Sequence, residues 1–383
     1  MVRAAWPLGL CATAACSHPI SHRDTPSTTS VDDGGPMFDW PPSERPTTAV
    51  VLDNGKPFRY LMRREPSGVT STLRAVELDR AHAYAAGDDG VVLHRGAHGG
   101  WRREAVPTTR RLRALVSGAH DVFWVSSRTP CIETFTTENR SWDRAQITEI
   151  FAVGDAGTVV RRDPSGVWTV EPTPITADLH AVVRRHDRLY AVGDRGTLIE
   201  RTHGAWRTIA SHTDADLRWF DGRVAVGGGG AVIDCASWDR ERAWPGEQLA
   251  CVPRAPASDA DLLTGLVQGD RWRAYGVGGA VVRATRQVPI ELALDPAIPG
   301  GATITSAAAS PWATSLGEMP PILVGTTGTL VFLATTPVQV MIEGAPELFG
   351  VVSEAADAFV VGAGGTIVHL QAEGARCESV IDI

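Results

Sequence analysis

The 383-residue chain has no surplus of positive charge: 36 Lys and Arg stand against 44 Asp and Glu, a formal net charge of −8. Nucleic acid is thereby excluded as the main partner, since phosphate contacts need a basic face. The basic pairs Arg102-Arg103 and Arg110-Arg111 read as solvated strand edges, where charge discourages edge pairing. No apolar run reaches 18 residues, so no membrane-spanning helix is expected. The 11 histidines show no His-Glu-x-x-His or other paired spacing, and the 6 cysteines no Cys-x-x-Cys, so neither a metal site nor a cofactor is expected. What the chain does have is core material, 43% hydrophobic residues against 21% charged, which describes an ordinary globular protein.

That core material is organised around one repeated stretch, Ala191-Val192-Gly193-Asp194-Arg195-Gly196-Thr197-Leu198-Ile199. It reads as a β-hairpin, in which two strand ends flank a four-residue turn and the glycines supply the positive φ that a short loop demands. Asp194 is expected to bond its own turn backbone through its carboxylate. Aligned on the paired glycines, seven copies appear, beginning at Gly87, Gly154, Gly193, Gly227, Gly276, Gly325 and Gly362. Asp88, Asp155 and Asp194 fall at equivalent positions, but separate blades should hold them far apart, so each is read as a turn residue and not as part of a metal or catalytic ring. Gly227-Gly228-Gly229-Gly230 lies in register with the other turns and has no helix after it, which makes it a turn and not a phosphate cradle.

Two further elements travel with the hairpin. Upstream lies a Leu-x-Ala-Val strand, as in Leu73-Arg74-Ala75-Val76, Leu112-Arg113-Ala114-Leu115 and Leu179-His180-Ala181-Val182. Downstream lies a Gly-x-Trp strand ending at Trp101, Trp168 or Trp206, whose indole should wedge between neighbouring units. Strand, hairpin and strand make one four-stranded blade, and such blades stabilise one another only around a closed ring. The fold class is therefore all-β, a single β-propeller over 49–383. Seven blades are counted; the long gap between Gly87 and Gly154 leaves an eighth open, the alternative being one blade with an insertion near 127–147. A second insertion is expected near 236–250. Ala49–Leu52 and Phe58–Met62 are candidates to complete the last blade, because Glu65-Pro66-Ser67-Gly68-Val69 is similar to Asp163-Pro164-Ser165-Gly166-Val167 and likewise precedes a Leu-x-Ala-Val strand.

Residues 1–16 read as an export signal, an apolar run closed by Ala14-Ala15-Cys16. That ending resembles the bacterial lipobox, and Cys16 is the expected lipidation site; simple secretion and a cytosolic chain are the alternatives. Residues 17–48, rich in Ser, Thr, Pro and Asp, read as a flexible tether. Membrane contact is then expected only through the lipid, on the periplasmic or cell-surface side. Of the remaining cysteines, Cys235 and Cys251 bracket the second insertion and are expected to pair, a bridge of about 3 kcal/mol for a loop of that length. Elimination leaves Cys131 with Cys377.

The blade pattern as a whole resembles the bacterial neuraminidase repeat and the photosystem II assembly-factor-like propellers. Asp163-Pro164-Ser165-Gly166-Val167-Trp168 is similar to the sialidase Asp box, a structural turn in its family, while the Arg-Ile-Pro motif, the arginine triad and the Tyr/Glu pair of that family have no counterpart here. No catalytic residue is assigned. The resemblance implies a non-catalytic, monomeric, envelope-anchored platform that binds a protein partner, with Trp238 and Trp244 of the second insertion as the candidate binding loop. A carbohydrate-binding or glycoside-cleaving propeller, with those aromatics stacked on sugar, is the alternative.

Overall fold

The protein is described from a computed structural model that covers residues 47–373 apart from 54, 80–81, 97–98, 118–148, 186–187, 237–248, 269–270, 286–291, 311–312, 315–316 and 355–356. Among the described residues seven antiparallel sheets follow one another along the chain, each of four strands running from innermost to outermost, except that the seventh carries a fifth strand; a two-stranded ribbon, Ala313–Thr314 with Gly317–Glu318, stands beside them. Blade 1 runs Leu73–Asp79, His82–Gly87, Val92–Arg95 and Trp101–Arg103, and blades 2 to 6 repeat the order with innermost strands Leu112–Ser117, Leu179–Arg185, Leu217–Phe220, Leu262–Gln268 and Ile304–Ala308. Successive innermost strands lie side by side, and that of blade 7, Leu348–Glu354, returns against blade 1 to close the ring. This is a seven-bladed β-propeller. The long glycine gap falls within one blade: 118–148 lies between the first two strands of blade 2, Leu112–Ser117 and Ile150–Gly154, which pair with each other.

Blade 7 is completed by the N-terminal side of the chain. Lys56–Arg64 pairs with Ile367–Ala372 as the outermost strand, and Thr47–Asp53 pairs beyond it as the fifth. The register of the join differs from the sequence reading. Glu65 follows an outermost strand, so its equivalents are Glu104 and Glu171, whereas Asp163 sits in the turn between the third and outermost strands of blade 2.

Strands here are buried on both faces, because each sheet packs between two others. In Ile150–Gly154, Ile150 and Ala152 join the apolar layer facing blade 1, while Phe151 and Val153 join Leu189, Ala191 and Ile199 in the layer facing blade 3. The tryptophans close these layers from outside. Trp101, Trp168 and Trp206 are at most 9% exposed. Each indole N–H donates to a glutamate at the end of the preceding blade's outermost strand, Glu65, Glu104 or Glu171. The same glutamate takes an arginine from the blade of its tryptophan: Arg95, Arg162 and Arg201, with Nε 3.1, 3.0 and 2.8 Å away. A junction of this kind binds neighbouring sheets through one carboxylate, and its geometry accounts for the periodic tryptophan.

The hairpin turn is built differently from the sequence reading. Gly193 is extended, with φ −166. It must be glycine because a Cβ there would lie 1.9 Å from the carbonyl oxygen of Asp178, which accepts from Asp194 N. Only Gly196 of the pair has positive φ, at +67, and Arg195 between them also takes the left-handed region, at 54. Backbone bonds close the turn, Gly193 N to Thr197 O and Thr197 N to Asp194 O. The Asp194 carboxylate is thereby left free of the turn it was expected to cap.

In blade 4, Cys235 and Cys251 are directly opposed on the third and outermost strands, with sulfurs 2.11 Å apart, and both are buried in the layer facing blade 3. They form a candidate disulfide. Cys16, Cys131, Cys377, Trp238, Trp244, the signal, residues 17–46 of the tether and most of both insertions lie outside the described residues, while Thr47 and Thr48, read as the end of the tether, begin the strand Thr47–Asp53.

The glutamate junctions give the fold an acid limit. Burial opposes ionisation of Glu104, but His94, Arg162 and Trp168 outweigh it and bring its pKa from 4.5 to about 2. Stability from this group is therefore full above pH 4.5 and is lost as pH falls toward 2. Thermal melts of Glu104→Gln should lie below wild type at pH 7, with the gap narrowing steadily below pH 4; a gap independent of pH would contradict the assignment.

Candidate functional site

The turn geometry has a second consequence at the rim of the central axis. In every blade the pairing between the first two strands slips by one residue immediately after its start: Leu179 faces Gly193 but Ala181 faces Val192, which leaves His180 as a bulge. The same slip recurs in the other six blades, at Arg74, Arg113, Arg218, Leu263, Thr305 and Phe349. A bulge takes its residue out of the strict alternation of a strand and re-aims the side chain. Seven bulge residues, one per blade, therefore ring the mouth on the side of the hairpin turns. They divide into two arcs, with ionisable residues in blades 1 to 4 and uncharged ones in blades 5 to 7.

The charged arc is a continuous track. Arg74 donates to Asp88 through Nε at 2.5 Å and Nη2 at 3.1 Å, and its guanidinium lies 4.8 Å from the Phe349 ring centre. Arg111 Nε donates to the same carboxylate at 2.7 Å, while its Nη1 lies 3.9 Å from Asp155. Arg113 spans Asp155 at 2.6 Å and Asp178 at 3.0 Å. His180 then meets Asp194 and Arg218, and Arg218 reaches Asp216 at 3.0 Å. Burial would raise the pKa of Asp88, but Arg74 and Arg111 hold it below the usual range. Asp178 is held low first by the Ala156 N–H and then by Arg113 and His180.

Two sequence readings are corrected here. Asp88, Asp155 and Asp194 belong to three blades but are not isolated turn residues: Arg111 bridges Asp88 and Asp155, and Asp194 meets His180 of its own blade and Arg218 of the next. Arg110-Arg111 is not on a strand edge but precedes the innermost strand Leu112–Ser117: Arg110 is solvated as expected and donates to Ala156 O at 3.1 Å, while Arg111 bridges two blades. What the sequence reading missed is the variable position of Leu-x-Ala-Val, filled by Arg, Arg and His in the copies aligned there and by Arg218 in the next.

The residue just before each innermost strand refines the arc. In blades 3 to 7 its side chain accepts from the second turn residue of the preceding blade, as Asp178 does from Ala156 N at 2.8 Å and Asp216 from Arg195 N at 2.9 Å. Asp261, Thr303 and Glu347 do the same. In blade 2 the position holds Arg111, which has only donors. The rim between blades 1 and 2 is thus richest in donors, with Arg74, Arg111 and Arg113 converging on Asp88 and Asp155. Leu263, Thr305 and Phe349 across the ring are half-buried and offer apolar surface, the Thr305 hydroxyl being turned into the backbone at Leu348 O, 2.6 Å away. Among the described residues no group of three metal-ligating side chains occurs.

The opposite mouth carries acid. Glu77, on the innermost strand of blade 1, accepts from Ser117 N at 3.1 Å. Burial raises its pKa from 4.5 to about 7, against the Ser117 bond, with Asp79 and Glu354 adding repulsion. The folded state is therefore most stable with Glu77 protonated, and stability is lost as pH rises from 4.5 through 7. Glu77→Gln should raise the melting temperature at pH 8 and leave it unchanged at pH 4.5; an equal change at both values would sink this reading.

No protein-family model and no curated protein sequence matches the chain. Solved structures do. YCF48 bound to D1 peptide is 14% identical with a TM-score of 0.57, over 81% of this chain and 96% of that one. Virginiamycin B lyase from Staphylococcus aureus is 10% identical at 0.61, over 82% and 99%. The WD40 propeller domain of Doa1 is 8% identical at 0.59, over 86% and 98%. The expected likeness to photosystem II assembly-factor propellers holds at the level of fold. YCF48, a lyase and a WD40 domain share this architecture, so the fold alone does not decide its use.

Proposed function

We propose that this propeller is a non-catalytic protein-binding platform that grips an extended segment of its partner at the turn-bearing mouth. The observation that carries this reading is the division of the bulge ring. An arc of guanidiniums and carboxylates faces an arc of Leu263, Thr305 and Phe349, so an acidic group and an apolar side chain of one peptide can be met at once. YCF48, of the same architecture, has been solved with a peptide bound, which supports such a mode. The repeat motif further supports grouping the blades with the bacterial neuraminidase-repeat propellers. The signal-like start supports export, with Cys16 lipidated and a tether of 17–46 holding the propeller off an envelope membrane, where the partner is an envelope protein.

Two experiments test this. Peptides selected on the immobilised full-length chain from a random library should lose about 10- to 100-fold in affinity for Arg74→Gln/Arg113→Gln, the range for charged hydrogen bonds, with the melting curve retained. Selected peptides that bind the double variant as well as wild type would remove the mouth from the reading. For anchoring, radiolabelled palmitate should enter the wild-type chain in a bacterial host and be absent from Cys16→Ser; label retained by the variant would place the lipid elsewhere.

A further inference from the structure

His180 is the one imidazole in the bulge ring, and its partners can be satisfied together only while the ring is neutral. The side chain is 7% exposed. Its Nε2 lies 2.5 Å from Asp194 Oδ1, which only accepts, and 2.7 Å from Arg218 Nη1, which only donates. With a proton on Nε2 alone the ring donates to Asp194, and its Nδ1, 3.2 Å from Arg218 Nη1, accepts from the guanidinium. With the proton on Nδ1 alone, Nε2 accepts from Arg218 and turns a lone pair toward the carboxylate. Imidazolium carries a proton on both nitrogens and so has no acceptor left for Arg218.

We infer that His180 is a proton-driven switch of the mouth: neutral imidazole holds Arg218 against blade 3, and imidazolium takes Asp194 for itself and expels the Arg218 guanidinium toward the mouth. The charged groups around His180 are Asp178 at the head of its own strand, Asp194 on the turn of its own blade, Arg218 and Asp216 from blade 4, and Arg113 from blade 2. Three carboxylates meet two guanidiniums, so neutral imidazole leaves one negative charge in excess, and imidazolium balances the sector. Arg218 keeps Asp216, 3.0 Å away, as a partner in either state, which lets it give up Asp194 at 3.9 Å without being left unpaired. Burial, together with Arg218 and Arg113, pushes the pKa of His180 below the usual histidine value, against the pull of Asp194. The exchange of partners therefore falls on the acid side of pH 6.5. Resting on the peptide-binding reading above, the consequence is tighter capture of acidic segments in an acidic compartment.

The switch can be tested without any ligand, so its failure is separate from failure of the binding reading. On the full-length chain, nuclear magnetic resonance of the His180 imidazole and the Arg218 Nε–Hε pair is followed from pH 4.5 to 8, assigned with His180→Asn. His180 should titrate below pH 6.5, and the Arg218 resonance should shift with the same midpoint. In His180→Asn the Arg218 shift should be lost. In Arg218→Gln the His180 midpoint should move upward, because a neighbouring like charge is gone, a result that stands even where the asparagine variant folds poorly. A stationary Arg218 while His180 titrates, an Arg218 shift unchanged in His180→Asn, or a His180 midpoint indifferent to Arg218→Gln would each overturn the switch.

Discussion

The structure depends on one close approach repeated seven times. The carbonyl of the residue before each innermost strand accepts the N–H that follows the first hairpin glycine, and it stands about 2 Å from where a Cβ on that glycine would be. This contact fixes the hairpin to the strand nearest the axis. It also forces the register slip one residue later, because the strand must enter the sheet from a position already bonded to the turn. Each bulge side chain at the mouth is thus a by-product of the constraint that holds its blade together. Scaffold and site share a cause.

That economy leaves the sequence free at one position per blade. The glycines, the following aliphatic pairs and the Leu before the bulge are dictated by packing, whereas the bulge residue is packed into neither neighbouring core. Arg74, Arg113, His180 and Arg218 occupy it on one side, Leu263, Thr305 and Phe349 on the other. The ring can therefore be asymmetric within a nearly symmetric fold. Outside the mouth, the Glu–Trp–Arg junctions bind blades 7 to 1, 1 to 2 and 2 to 3, and at blade 7 the glutamate, Glu65, comes from the N-terminal side of the chain. Ring closure there uses the same chemistry as an ordinary junction.

Much of this was legible in the residues. Strand positions and blade count followed from the spacing of glycine pairs and β-branched residues, because both faces of each strand are buried and little else is tolerated there. Less legible were features set by contacts between repeats. Glu65 was aligned with Asp163 by its Pro-Ser-Gly-Val neighbours, although its partners Trp101 and Arg95 mark it as an equivalent of Glu104. Asp88, Asp155 and Asp194 were read as local turn acceptors because nothing in a single copy shows that Arg74, Arg111 and Arg113 reach the first two and His180 and Arg218 the third. The x of Leu-x-Ala-Val was the signal available: a nominally variable position that held Arg, Arg, His and Arg in four successive blades.

The central claim is that the partner is held at the turn-bearing mouth and not on the outer rim. A photo-crosslinking amino acid placed at Leu263, in the uncharged arc, can be compared in intact source cells with one at Val170, exposed on the outermost strand of blade 2. The account predicts a discrete covalent adduct with one protein from position 263 and none from position 170. An adduct formed from position 170 alone would place the binding surface on the rim and contradict it.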